Sequence, residues 1–302
     1  MLFQMLGPLR AGTERGPVDI GGDRARVVLA ALLLEPGRVV PVGRLVEAVW
    51  DERPPASART QIAIAVSGLR RAFRDAGCAR QVIETVRPGY RIPPGAGTID
   101  ALEAEREVLR AREAARAGRR EEAARRFRAA LARWDGPVLA GLDRVAISAG
   151  ALRWEELRLA AVEEAAEVEL ALGRHHELVG ALLGPVAAHP YRERLRAMLM
   201  TALARAGRQS EALGVYRDGR RVLAEELGLE PGRELRGLHE AILRDDPAVY
   251  ARDVPDFPNI PNAPEPARPA PAKRSGRTGR CAGTGRRGRG TGGPRRPARP
   301  YH

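Results

Sequence analysis

Residues 57–73 read SARTQIAIAVSGLRRAF. On a helical wheel Ile62, Val66, Leu69 and Phe73 form one apolar stripe, while Thr60, Ile64, Ser67, Gly68 and Arg71 fall on the opposite side. Ile64 then faces away from the core. Gly68 sits in the middle of the same outward face, where glycine costs about 1 kcal/mol relative to alanine. Either a neighbouring domain covers this face, or the face touches something outside the chain.

The flanking sequence favours the second reading. Residues 2–20 alternate apolar positions and turn signals, as short antiparallel strands do. A first helix is expected in GGDRARVVLAALLLEPG (21–37), with Asp23 as N-cap, Val27, Val28, Ala31 and Leu32 inward, and Pro36–Gly37 as its stop. A second lies in VVPVGRLVEAVWDERPP (39–55), where Leu45, Val46, Val49 and Trp50 share a face and Pro54–Pro55 end it. The third is the stretch above, capped by Ser57. After it, Val82–Val86 and Tyr90–Ile92 read as strands around a turn at Arg87, Pro88 and Gly89.

Three helices followed by a hairpin describe a winged helix, whose third helix enters the DNA major groove while the hairpin, or wing, reaches the backbone or minor groove. Ile64 can then meet a thymine methyl, and Gly68 lets the helix approach the duplex closely. Ser67 suits a base or phosphate, Arg71 a guanine, Arg70 at the flank a phosphate, and Arg59 and Thr60 near the helix N-terminus phosphates. In the wing Arg87 and Arg91 are the candidates; Tyr90 either packs under the hairpin or touches DNA.

Charge is uneven along the chain. Residues 1–95 carry 14 Arg against 9 acids, residues 96–251 carry 25 Arg against 26 acids, and residues 252–302 carry 12 basic residues against 3 acids. By composition the middle is not a nucleic-acid surface, whereas the first segment qualifies and the last is polybasic. Arg outnumbers Lys fifty to one, so arginine abundance alone says little. Cys78 and Cys281 are far apart and His175 and His176 point about 100° apart on a helix, so neither a disulfide nor a metal site is expected. No apolar run approaches the roughly 18 residues of a membrane span, and the N-terminus lacks a signal peptide's pattern. A cytoplasmic, nucleoid-associated protein with no membrane partner and no cofactor is expected.

From Asp100 to about Arg244 the pattern is helical, with Asp100 and Glu103 as an entry capping box. One phrase recurs: AGRREEA (117–123), LGRHHEL (172–178) and AGRQSEA (206–212). The 34-residue spacing of Gly173 and Gly207 is the tetratricopeptide period. An insertion around WDGPVLAGLDRVAIS breaks the repeat. Beyond residue 251 the chain is rich in Pro, Gly and Arg and cannot bury a core, so residues 252–302 are expected to be a disordered tail. Such a tail either adds affinity for any duplex through counterion release or serves as an inert, solubilising extension.

The phrases FQMLGPLRAG, GGDRARVVLAALLLEPGRVVPVGRLVEAVW, SGLRRAF and ETVRPGYRI resemble the DNA-binding domain of the Streptomyces antibiotic regulatory protein family. GRHHELVGAL, HPYRERLRAMLMTALARAGRQSEAL and LAEELGLEPGRELRGLHEAIL resemble the family's activation domain, so the likeness runs from about residue 2 to 245. It implies a mainly α, two-domain protein: an OmpR-type winged helix (1–95), then an all-α tetratricopeptide-like activation domain (96–251). It also implies an activator of a secondary-metabolite gene cluster that binds direct repeats in double-stranded DNA, self-associates there and recruits RNA polymerase holoenzyme. Carried over by motif position, Ile64, Gly68, Arg70 and Arg71 fall where winged-helix relatives place groove and backbone contacts. Gly68 departs from the long basic side chain common between the Ser and Leu of this phrase, which puts base readout there in doubt. The chain contains no G-x-x-x-x-G-K-[ST], the phosphate loop of larger members. The rival reading is a helical-repeat adaptor that uses its basic domain as a protein-binding surface. Nothing resembling a catalytic constellation is present, so an enzyme is not expected.

Overall fold

The computed structural model describes residues 1–78 and 80–251; the expected tail and Cys281 lie outside them. The chain opens with β1 (Leu2–Gln4), β2 (Arg10–Thr13) and β3 (Gly16–Pro17), then α1 (Asp23–Leu34), β4 (Val40–Pro41), α2 (Val42–Trp50) and α3 (Ala58–Asp75). The wing follows as β5 (Glu84–Val86) and β6 (Gly89–Arg91), shorter than the apolar pattern suggested. Val82, Ile83 and Ile92 are buried but lie outside the ladder. β7 (Thr98–Ile99) pairs parallel with β1, completing a four-stranded sheet in the order β3-β2-β1-β7, and β4, β6 and β5 form the second sheet. This is the winged-helix arrangement that residues 2–92 implied.

Two expected caps are displaced by one residue. Asp23 occupies the first helical position after Gly22, and its carboxylate pairs with Arg144 at 2.8 Å. Asp100 likewise stands inside its helix, with Ile99 at the cap position. Ser57 does hold the cap position of α3, yet its hydroxyl accepts from Gln61 Nε2 at 2.8 Å and caps no amide.

The rest is helical: α4 (Asp100–Arg116), α5 (Arg120–Leu131), α6 (Val145–Ala171), α7 (His175–Ala188), α8 (Glu193–Arg205), α9 (Gln209–Leu227), α10 (Arg233–Leu243) and α11 (Pro247–Tyr250). The recurring glycines mark the turns of the pairs α4/α5, α6/α7 and α8/α9. Gly118, Gly173 and Gly207 have φ of +73°, +80° and +74°, a region that residues with a Cβ rarely enter. Ala123 and Ala212, five residues beyond two of these glycines, are buried where the second helix meets the first.

The broken repeat has a structural use. Residues 132–144 turn back onto the first lobe, where the amides of Asp135, Leu139 and Ala140 donate to the carbonyls of Leu6, Met5 and Gly7 at 2.7, 2.9 and 3.2 Å. From the other side the buried Asp100 carboxylate accepts from the amides of Met5 (3.0 Å) and Leu6 (3.1 Å). The carbonyls of residues 5–7 and the amides of Met5 and Leu6 are thus satisfied by the helical lobe, as buried backbone requires. A single buried apolar cluster follows, running from Phe3 and Phe73 through Trp134 and Leu142 to Trp154 on α6.

Candidate nucleic-acid interface

α3 is held by its inner stripe. Ile62, Val66, Leu69 and Phe73 are buried, with Phe73 edge-on to Phe3 at 5.8 Å between ring centroids, and each contributes on the order of 1.5–3 kcal/mol. That anchorage leaves the opposite side free. Arg59, Thr60, Ala63, Ile64, Ser67, Gly68, Arg71 and Arg74 are all exposed, and Ile64 retains 65% of its surface. No part of the helical lobe covers Ile64, although that lobe packs closely on α1 and α2: a Cβ on Gly150 of α6 would touch Leu34. At Gly68 an added Cβ would meet nothing within 4 Å, so no intramolecular contact requires glycine there.

The wing's residues divide into two groups. Arg87 stands exposed at the turn. Arg91 instead pairs with Glu84 at 2.8 Å, its cross-strand partner, so half the expected basic character of the wing is neutralised within the hairpin. Tyr90 is half-buried between Val40 and Thr85 of the neighbouring strands, and Arg70 lies over its ring at 5.8 Å. Arg70 donates from Nε to the Ile83 carbonyl and from Nη2 to Thr85 Oγ1, both at 2.9 Å. Its fork points at the wing's base.

Unpaired arginines among the described residues concentrate in the first lobe, on this face and also at Arg15, Arg24, Arg44 and Arg53. Among the described residues Arg59, Arg71, Arg74 and Arg87 form no ion pair with any carboxylate, whereas most arginines of the helical lobe do. There Arg112 holds Glu164 of α6 through two bonds at 2.7 and 2.8 Å, and Arg192 reaches both Glu156 and Glu163. Such pairs join α4 to α6 and α6 to α8, and the carboxylates hold the Arg192 guanidinium above its ordinary pKa. Much of the arginine charge of residues 96–251 is thus matched by carboxylates, some between helices and some three or four residues along the same helix. Arg74 was not among the residues singled out from the sequence; its place three positions beyond Arg71 on the same face was the available signal.

Among the described residues no cluster of three or more metal-ligating side chains occurs, and no helix is long and apolar enough to cross a membrane. His175 and His176 lie side by side with ring centroids 4.7 Å apart, and burial lowers the pKa of His175.

Two family models match the chain: the C-terminal domain of transcriptional regulatory proteins over residues 21–92, and the bacterial transcriptional activator domain over residues 99–243. Regulatory protein DnrI of Streptomyces peucetius is 37% identical over 259 residues, covering 82% of this chain and 94% of that protein. The chain belongs to the Streptomyces antibiotic regulatory protein family. Regulatory protein AfsR of Streptomyces coelicolor is 40% identical over 82% of the chain, which spans only 24% of AfsR. The solved structure of Mycobacterium tuberculosis EmbR in complex with a low-affinity phosphopeptide superposes with a TM-score of 0.75 at 40% identity, over 80% of this chain and 65% of that one. The chain carries the two domains of this family's transcriptional regulators, and α1–α3 with the hairpin form the winged helix.

Proposed function

We propose that the protein is a pathway-specific activator of a secondary-metabolite gene cluster that reads direct repeats in double-stranded DNA near promoters and recruits RNA polymerase holoenzyme. The observation that carries the DNA-reading step is the outward face of α3, where Ile64 is uncovered and Arg59, Arg71 and Arg74 have no carboxylate partner. Ile64, Ser67, Gly68 and Arg71 face base edges; Arg59, Thr60 and Arg87 take phosphates. Arg91 and Tyr90 support the wing from within. Residues 1–95 carry the sequence preference and residues 96–251 the activating contacts.

Direct repeats require copies in the same orientation, a head-to-tail contact, so self-association strengthens on DNA and is weak without it. No cofactor is required, and the protein acts in the cytoplasm at the nucleoid. Genome-wide binding of the tagged chain tests this reading: enrichment at repeated motifs beside one biosynthetic cluster is expected. Uniform occupancy with no shared motif would overturn it.

A further inference from the structure

Arg70 sits beside the exposed Arg71 on α3, yet its guanidinium is directed elsewhere. It bonds the Ile83 carbonyl ahead of β5, bonds the Thr85 hydroxyl on β5, and lies over the Tyr90 ring on β6. Thr85 and Tyr90 are directly opposed in the hairpin, and Tyr90 is also opposed to Val40 on β4. One side chain thus grips the middle rung of the three-stranded sheet from the recognition helix. Arg87 lies two residues beyond Thr85, about 7 Å along an extended strand, so a tilt at the gripped rung is carried to the tip.

Apart from Arg70, the wing is tied to the domain through β4 and through the Val42 amide, which donates to the Pro88 carbonyl at 3.2 Å, and neither links it to α3. β4 contributes only two residues, and its close approach to β6 depends on Gly89, where a Cβ would collide with the Val40 carbonyl. Glu84 and Arg91 bond each other across the hairpin, which stiffens the wing without tying it to α3.

We propose that Arg70 is a positioning residue that sets the wing against the recognition helix, so that Arg87 and the face of α3 engage the duplex together. This rests on the DNA-binding reading of α3. Only arginine's planar fork supplies both donors and the ring contact at once, so lysine does not replace it.

The test is a double-mutant cycle on the full chain, read by titration of the specific duplex at several salt concentrations. Arg87→Ala alone is expected to weaken binding roughly fivefold to tenfold and to make the salt slope shallower by about 0.9. In the Arg70→Ala background, where the tip is already misplaced, Arg87→Ala is expected to cost less than about twofold. Arg70→Lys should behave like Arg70→Ala, and Thr85→Val, which leaves strand shape intact, should show the same coupling to Arg87 more weakly. If Arg70→Ala lowers the melting temperature below the assay range, Thr85→Val carries the cycle. Additive losses from Arg70 and Arg87, with Arg70→Lys near the parent, would mean that Arg70 is a direct phosphate ligand and overturn the proposal. Absence of any effect of Arg87→Ala, Ile64→Ala and Arg71→Ala in the parent chain would sink the DNA-binding reading itself, a different result.

Discussion

Replacing Asp100 should loosen the joint between the two lobes. Its Oδ2 accepts from the amides of Met5 and Leu6, and its Oδ1 from those of Met5 and Ala101, at 2.8–3.1 Å in a buried setting. Burial raises the pKa of this carboxyl, while the three amides and Arg133 pull it down. Asp100→Asn keeps the shape but turns one oxygen into a donor facing a backbone donor, which costs about 1–3 kcal/mol. Asp100→Ala leaves at least two buried amides without an acceptor, a loss on the order of 3–5 kcal/mol. For a chain of this size each kcal/mol corresponds to about 2–4 °C in Tm, so Asn should lower the melting point by roughly 2–12 °C and Ala by about 6–20 °C. Thermal unfolding followed by circular dichroism reads both. A Tm for Asp100→Ala within about 2 °C of the parent would refute the claim that this carboxylate anchors residues 5 and 6.

Three other perturbations have definite outcomes. Gly68→Lys meets no neighbour, so it should fold as well as the parent or gain up to about 1 kcal/mol in helix stability. On DNA a long side chain facing the base edges should hold the helix off and weaken the true site, and unchanged affinity there would place position 68 away from the bases. A Cβ at Gly219 would press on Arg196, which threads between α8 and α9 to the Val215 and Pro190 carbonyls, so Gly219→Ala should cost about 1–3 kcal/mol in urea unfolding and less when Arg196 is also Ala. A chain ending at residue 95 lacks Ile99, Ala101, Ala104, Trp134 and Trp154, the other side of the cluster around Phe3, so it should aggregate or melt without cooperativity; a sharp transition in that fragment would show that the lobe folds alone.

The recognition helix was legible because its signal is local. The period of Ile62, Val66, Leu69 and Phe73 places Ile64 and Gly68 outward whatever the rest of the chain does. The repeated Gly-Arg phrases were legible for the same reason, since each marks a turn between two helices. The caps misled because an acid before a helix suits both the cap and the first turn, and the backbone of Gly22 and Ile99 decided between them. The fates of Arg70 and Arg91 depended on the hairpin's return. A two-residue turn at Arg87–Pro88 sets Glu84 opposite Arg91, whereas a turn taken to include Gly89 hides that pairing. The joint at residues 5–7 rests on partners 94 to 134 positions away, and the sequence shows it only as a break in the repeat.

The central claim is that the uncovered face of α3 reads base sequence. It is tested most directly by anisotropy titration of the full chain, with and without Ile64→Ala and Arg71→Ala, on a duplex recovered from genome-wide binding and on a scrambled duplex of equal length at one salt concentration. Each variant should lose about 1–3 kcal/mol on the true site, and Ile64→Ala should leave the scrambled duplex unchanged, so the specificity ratio falls. Equal weakening on both duplexes, or no weakening on either, would contradict the account.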